Sequence, residues 1–259
     1  MASLIQWPRA KYWDKAWNPV IGCRPCSPAC ENCYARAWAE RFGQSFEPHM
    51  SSAPLPPRKG VVFCGNMTDL FGEWMWPWRG GHDGYIVRSP EDLISYACGK
   101  TRNEAIYLWL TKRVTTMADA VHRAFDGHEW RKTRLCRHYF GFTAENQEWY
   151  DRRIKDFRAG MPDWANGWLS AEPLLGPIDL GLCYIAPEDQ PFEWVVVGCE
   201  SGPRRRPCKV EWVESIVEQC RAADVPVFVK QLDLGGKCVT DINKFPEHLR
   251  IRQVPWKED

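Results

Sequence analysis

Four cysteines fall within eleven residues near the start of the chain, in the arrangement Cys23-x2-Cys26-x3-Cys30-x2-Cys33. So many thiols on one short loop suit an iron-sulfur cluster, because the cubane is compact and each iron takes a single sulfur from the protein. A zinc ion matches the spacing less well. Two Cys-x2-Cys knuckles that share a zinc are commonly separated by a long stretch that folds back to complete the tetrahedron, and three residues leave no length for that return. The remaining cysteines, Cys64, Cys98, Cys136, Cys183, Cys199, Cys208, Cys220 and Cys238, show no second spacing of a metal-binding kind.

Within the run, Cys26-x3-Cys30-x2-Cys33 resembles the spacing of the radical S-adenosylmethionine superfamily. There, three cysteines hold a 4Fe-4S cluster whose fourth iron stays open to the amino and carboxylate groups of S-adenosyl-L-methionine. A second triad, Cys23-x6-Cys30-x2-Cys33, shares its last two members. The wider segment WNPVIGCRPCSPACENCYA, Trp17 to Ala35, is similar to the signature of a phage-encoded family of radical S-adenosylmethionine proteins. That signature reads Trp-Asn-Pro, then Gly-Cys, then Ser-Pro-Gly-Cys-x2-Cys-Tyr. Cys26 falls at one of its variable positions and Ala29 replaces the usual glycine, so the family pattern favours Cys23 and the superfamily spacing favours Cys26 as third ligand.

A loop of this kind needs a frame. After it, short apolar runs recur, each ending in polar residues and followed by a helical stretch. Val61 to Cys64 runs into Asn66, Thr68 and Asp69; Ala105 to Leu110 into Thr111, Lys112 and Arg113; Tyr139 to Phe142 into Thr143, Glu145 and Asn146. Gly167 to Leu169 leads to Ser170 and Glu172, Trp194 to Val197 to Cys199, Glu200 and Ser201, and Val225 to Val229 to Lys230 and Gln231. Unalternating runs of this length describe strands buried on both faces of a parallel sheet. Helices are expected over Cys33 to Phe42, Glu91 to Gly99, Val114 to Phe125, Glu148 to Arg158 and Val210 to Ala223. With a further strand near Trp17 to Ile21, the expected fold is α/β, a complete or partial (β/α) barrel of six to seven parallel strands in one domain over residues 1–259. An open doubly wound sheet is the competitor. In either, the polar strand ends share one functional rim.

The family resemblance extends along this rim through NMTDLF, LTKR, AEN, SAEPLLGPIDL, GCESGP and VKQ, in the family's order, and so covers nearly the whole chain. Cys199, where the family more often has glycine, is a departure. The resemblance implies a radical S-adenosylmethionine fold and reductive cleavage of the cofactor to a 5'-deoxyadenosyl radical that takes hydrogen from substrate. By position it also implies that Asn66, Thr68 and Asp69 hold the methionyl amine. Lys112 or Arg113 would hold the methionyl carboxylate, Arg113 by a two-point contact. Glu145 and Asn146 are placed for the ribose, Glu200 for cofactor or substrate, and Glu172 and Lys230 for catalysis at the substrate. Each of these side chains has an ordinary alternative as helix cap or rim salt bridge. Arg204, Arg205 and Arg206 could grip phosphate, or stand solvated.

Phage relatives point to a nucleotide or DNA substrate. A specific reaction is rearrangement of a glycine-thymine adduct from nitrogen to α-carbon attachment in hypermodified DNA. A repair lyase acting on a pyrimidine lesion is the enzymatic alternative, and a cysteine-rich nucleic-acid-binding module the non-enzymatic one. An external electron donor such as flavodoxin or ferredoxin is implied. The net charge of +1, from 34 Lys plus Arg against 33 Asp plus Glu, excludes bulk attraction to a polyanion, so any nucleic-acid contact is local. No signal-like start or long apolar stretch is present, so a cytoplasmic location is expected, the host cytoplasm for a phage protein, and there cysteines are thiols or metal ligands rather than bridges. Most of the 15 tryptophans are expected in the core, while Trp74, Trp76 and Trp78 suggest a covering loop.

Overall fold

The computed structural model describes residues 5–6, 9–51, 55–72, 78–79, 86–99, 104–126, 137–186 and 189–256. Trp74, Trp76 and Cys136 lie outside them. The chain divides into two compact units.

One unit comprises Trp13–Phe142 and Arg153–Asn166. Its parallel strands β1 (Lys15–Trp17), β2 (Val61–Cys64), β3 (Ile106–Thr111) and β4 (His138–Thr143) pair in that order. β2 is buried at every residue, as a strand covered on both faces must be. Helices α1 (Tyr34–Arg41), α2 (Pro90–Cys98) and α3 (Val114–Phe125) occupy the connections. Each turns apolar side chains inward, as α3 does with Val114, Met117, Val121 and Phe125. The strand expected near Trp17 to Ile21 is in fact two pieces. Lys15–Trp17 joins the parallel strands, whereas Val20–Ile21 pairs antiparallel with His49–Met50; Pro19 between them lacks the N–H that would carry one ladder through.

The other unit comprises Met1–Tyr12, Thr143–Arg152 and Gly167–Asp259. Strands β5 (Asn166–Ala171), β6 (Trp194–Gly198) and β7 (Val227–Leu234) run parallel, and β8 (Lys237–Val239) returns antiparallel on β7. The two-residue turn Gly235-Gly236, both at positive φ, makes that hairpin. Helix α4 (Gln147–Gly160) follows β4 and α5 (Val210–Ala222) precedes β7. Tyr12 packs edge-on against Trp168, Trp194 and Phe228 in this unit's core. The eight mostly parallel sheet strands, with helices between them, make the fold mixed α/β. No helix among the described residues is long and apolar enough to cross a membrane.

Candidate functional site

The cysteine loop is fixed at its entry by a glycine. Gly22 sits at φ +87, and a Cβ there would lie 2.5 Å from the Glu47 carbonyl oxygen and 2.6 Å from that of Phe46. Only glycine can therefore pass this seam. The next amide, Cys23 N, donates to Phe46 O at 3.1 Å, and Thr68 Oγ1 donates to Gly22 O at 2.5 Å. The loop then makes a short 3-10 turn over Pro28–Cys30, and Cys33 caps α1. Cys23, Cys26, Cys30 and Cys33 are all free and half-buried.

Electrostatics differ sharply among these thiols. A hydrogen bond from the Cys26 thiol holds Cys30 down at about 4, against the effect of burial and with help from the Lys112 ammonium and the Cys26 and Ser27 amides. Cys26, as the donor, is correspondingly raised. Burial and the neighbouring Asp69 carboxylate push Cys23 up to about 11. A thiolate at Cys30 with a protonated partner beside it is a donor set into which a thiophilic iron centre fits. Among the described residues no three His, Cys, Asp or Glu side chains are already closed into a metal site.

Behind the loop stands a polar assembly from the ends of β1, β2 and β3. Gly65, at φ +77 with Leu70 Cγ only 2.7 Å from where a Cβ would be, turns the chain sharply after β2 and delivers Asn66, Thr68 and Asp69. Asn18 Nδ2 donates to Asn66 Oδ1 at 2.7 Å, and Tyr34 Oη donates to the Asn66 carbonyl. Asp69 is the hub. Its Oδ1 accepts from Thr111 Oγ1 at 2.7 Å and Phe71 N at 3.1 Å, and its Oδ2 from Lys112 N at 3.0 Å and Arg113 Nη1 at 2.9 Å. Arg113 Nη2 reaches on to the Arg24 carbonyl at 2.9 Å, inside the cysteine loop. Asp69 and Arg113, expected to serve opposite ends of a bound amino acid, are thus paired with each other.

In the other unit, Lys230 Nζ lies 2.5 Å from Glu172 Oε1, which also accepts from Gln231 Nε2 at 3.3 Å. Gln231 Nε2 donates to the Cys199 carbonyl at 2.6 Å as well. Glu200, 4 % exposed, is wrapped by Arg206, whose backbone N (2.7 Å) and Nε (3.1 Å) meet Oε2 and whose Nη2 (2.5 Å) meets Oε1. Arg205 faces Asp233 at 3.7 Å. The arginine cluster therefore spends at least two of its three charges on carboxylates. Asn146 caps α4, its Oδ1 accepting from Trp149 N at 3.1 Å. Glu145 is fully buried, its carbonyl accepting from Leu175 N at 2.7 Å.

The structure brings Asn66, Thr68, Asp69, Lys112 and Arg113 to the cysteine loop in one unit, and Glu172 and Lys230 together in the other. Sequence reasoning passed over Arg24 and gave no role to Asn18 or to Thr111, named only as a strand-end residue; the three complete the hub. Asn18 had a signal in the Trp-Asn-Pro motif; a backbone carbonyl such as that of Arg24 leaves none.

A family model described as "Protein of unknown function (DUF5131)" matches residues 7–248. No curated protein and no solved structure matches the chain.

Proposed function

The chain belongs to that family, DUF5131, whose description carries no activity, and from the site itself we propose a radical S-adenosylmethionine enzyme that modifies a nucleobase or nucleotide. The observation that carries this reading is the loop of four half-buried free thiols, Cys23, Cys26, Cys30 and Cys33, seated against Asp69 and Arg113. Support for a (β/α) barrel of the radical S-adenosylmethionine type comes from strand order. Within each unit the parallel strands follow the chain in sequence, without the reversal that marks a doubly wound sheet.

Cys30 and Cys33, with Cys23 or Cys26, would hold a 4Fe-4S cluster. When bound, cluster and S-adenosyl-L-methionine would supply reductive cleavage of the sulfonium and a 5'-deoxyadenosyl radical for hydrogen abstraction. The protein's part is positioning. Arg113, anchored on Asp69, holds the Arg24 carbonyl and with it the loop between Cys23 and Cys26. A zwitterionic amino acid presents the same two charges as this ion pair. Its ammonium can replace Arg113 at Asp69 while its carboxylate takes Arg113, so that no charge is left unmatched during the exchange. Asn66 and Thr68 orient by hydrogen bonding beside them. Lys230 and Glu172 are assigned to substrate, their ion pair able to hold or pass one proton between Nζ and Oε1.

A glycine-thymine adduct rearranged from nitrogen to α-carbon attachment is the specific reaction we assign, because a glycyl α-carbon radical is stabilised by the adjacent nitrogen and carboxyl. The electron comes from an external flavodoxin- or ferredoxin-like donor. Anaerobically reconstituted protein is expected to be brown, with about four irons per chain, and on reduction to release 5'-deoxyadenosine. Cys30→Ala or Cys33→Ala abolishes both iron uptake and cleavage. Colourless protein binding a single zinc at this loop, or cleavage that survives either substitution, would overturn the assignment. The pair Cys23→Ala and Cys26→Ala identifies the third ligand.

A further inference from the structure

Three cysteines outside the loop, far apart in the chain, are gathered by the end of the β6, β7 and β8 strands. Cys199 follows β6 directly and is fully buried; Cys208, 6 % exposed, lies just before α5. Cys238 is half-buried on β8, where it is the register partner of Asp233 on β7. Register partners share a face of the sheet, so Asp233 and Cys238 point the same way. Burial raises the Cys199 thiol, with Cys238, Cys208 and Asp233 as its further electrostatic neighbours, and Cys199 N donates to Gln231 O at 3.2 Å, two residues before Asp233. Cys208 N donates to Asp233 Oδ2 at 3.3 Å.

Asp233 is the centre of this group. Its side chain is only 9 % exposed, and Oδ1 has no hydrogen-bond partner among the described residues, with Arg205 Nη2 at 3.7 Å as its counter-charge. A buried carboxylate oxygen left without a donor is costly. We propose that Cys199, Cys208 and Cys238, with Asp233 as the fourth donor, form a second site on this protein, for a thiophilic divalent cation of the zinc class.

The competing chemistry is a disulfide between Cys199 and Cys238, which would hold only two of the three sulfurs and leave the buried Asp233 oxygen without a donor. Thiolates about 3.8 Å apart are what two zinc–sulfur bonds of about 2.3 Å in a tetrahedron require. Among the described residues no three His, Cys, Asp or Glu side chains are closed into a metal site, so binding requires these donors to move together; the Gly235-Gly236 turn, both residues at positive φ, is where β8 can adjust. On binding, each thiol releases its proton to solvent; three thiolates and a carboxylate around a dication leave two negative charges, which Arg205 partly offsets. This site stands independently of the function assigned to the 23–33 loop.

The experiment uses full-length, metal-free protein under argon, titrated with cobalt(II), whose thiolate complexes absorb strongly in the near ultraviolet. Cys199→Ala and Cys238→Ser are each expected to lower saturating cobalt by one equivalent per chain, and Asp233→Asn to weaken that equivalent at least tenfold. Circular dichroism checks that each variant is folded; Cys238 lies on a half-exposed hairpin, so its variant keeps the question answerable if Cys199→Ala misfolds. Unchanged cobalt stoichiometry in a folded Cys238→Ser variant overturns the proposal. So does peptide mapping that finds Cys199 joined to Cys238 in freshly purified protein.

Discussion

At the scale of single residues, Asp69 ties the thiol-bearing unit together. Among the described residues its carboxylate accepts from Thr111 Oγ1, Arg113 Nη1 and two backbone amides that close the ends of β2 and β3. Removing one partner of a largely buried ion pair leaves the other uncompensated, which costs about 3–5 kcal/mol. Arg113→Met is therefore expected to lower unfolding stability by about 3 kcal/mol and, by freeing the Arg24 carbonyl, to speed alkylation of the flanking Cys23 and Cys26 thiols by iodoacetamide. Arg113→Lys should recover the charge but not both contacts, because an ammonium cannot span Asp69 Oδ2 and the Arg24 carbonyl as a guanidinium does. Alkylation rates at Cys23 and Cys26 identical in wild type and Arg113→Met would exclude the clamp. None of this pairing could be read from the sequence, where Asp69 and Arg113 are 44 residues apart and each looked free to serve a ligand.

At the scale of elements, the strands were legible wherever burial on two faces forced an uninterrupted apolar run, as in β2, β3, β4 and β6. β1 was misplaced because Lys15 and Ala16 are exposed and give no such run. β8 went unread although Gly235-Gly236 is a hairpin signal, since Lys237 to Val239 is too short for a pattern. The cysteine loop was legible because its ligands are close in sequence; the grouping around Asp233 was not, because strand pairing alone assembles it. β4 offers a pH test. His138 Nδ1 accepts from Trp109 Nε1 at 3.1 Å, and Nε2 faces Cys98 Sγ at 3.7 Å. Burial lowers this imidazole to about 3, so it stays neutral in the fold while the unfolded chain takes up a proton below about 6.5. Stability from this group is whole above that value and is lost as pH falls from there towards 3, with a slope of up to about 1.4 kcal/mol per pH unit. The unfolding midpoint should drop between pH 7 and pH 5, and His138→Gln, which keeps an acceptor for Trp109, should flatten the drop. An equal drop in both proteins would exclude His138 as its source.

At the scale of the whole molecule, 34 cationic and 33 acidic side chains nearly cancel, and within the described residues several arginines are already committed to carboxylates, including Arg113, Arg205 and Arg206. A nucleic-acid substrate can then displace few counterions. The dependence of log affinity on log salt is expected to be shallow, with a slope of magnitude below about 3, against roughly 6–10 contacted phosphates for strongly basic binders. Fluorescence titration of single-stranded DNA between low and physiological salt measures it, and a steep slope would reveal a basic surface that the composition hides.

The seam at Gly22 has a practical corollary for protein engineering. Since the thiol loop is seated on the Phe46–Glu47 backbone, on Thr68 and, through Arg24, on Arg113, it is not a detachable peptide. A graft of residues 23–33 alone into a foreign scaffold would arrive without its mould, whereas a transplant reaching from Trp17 to Arg113 would carry the casting along with the cast.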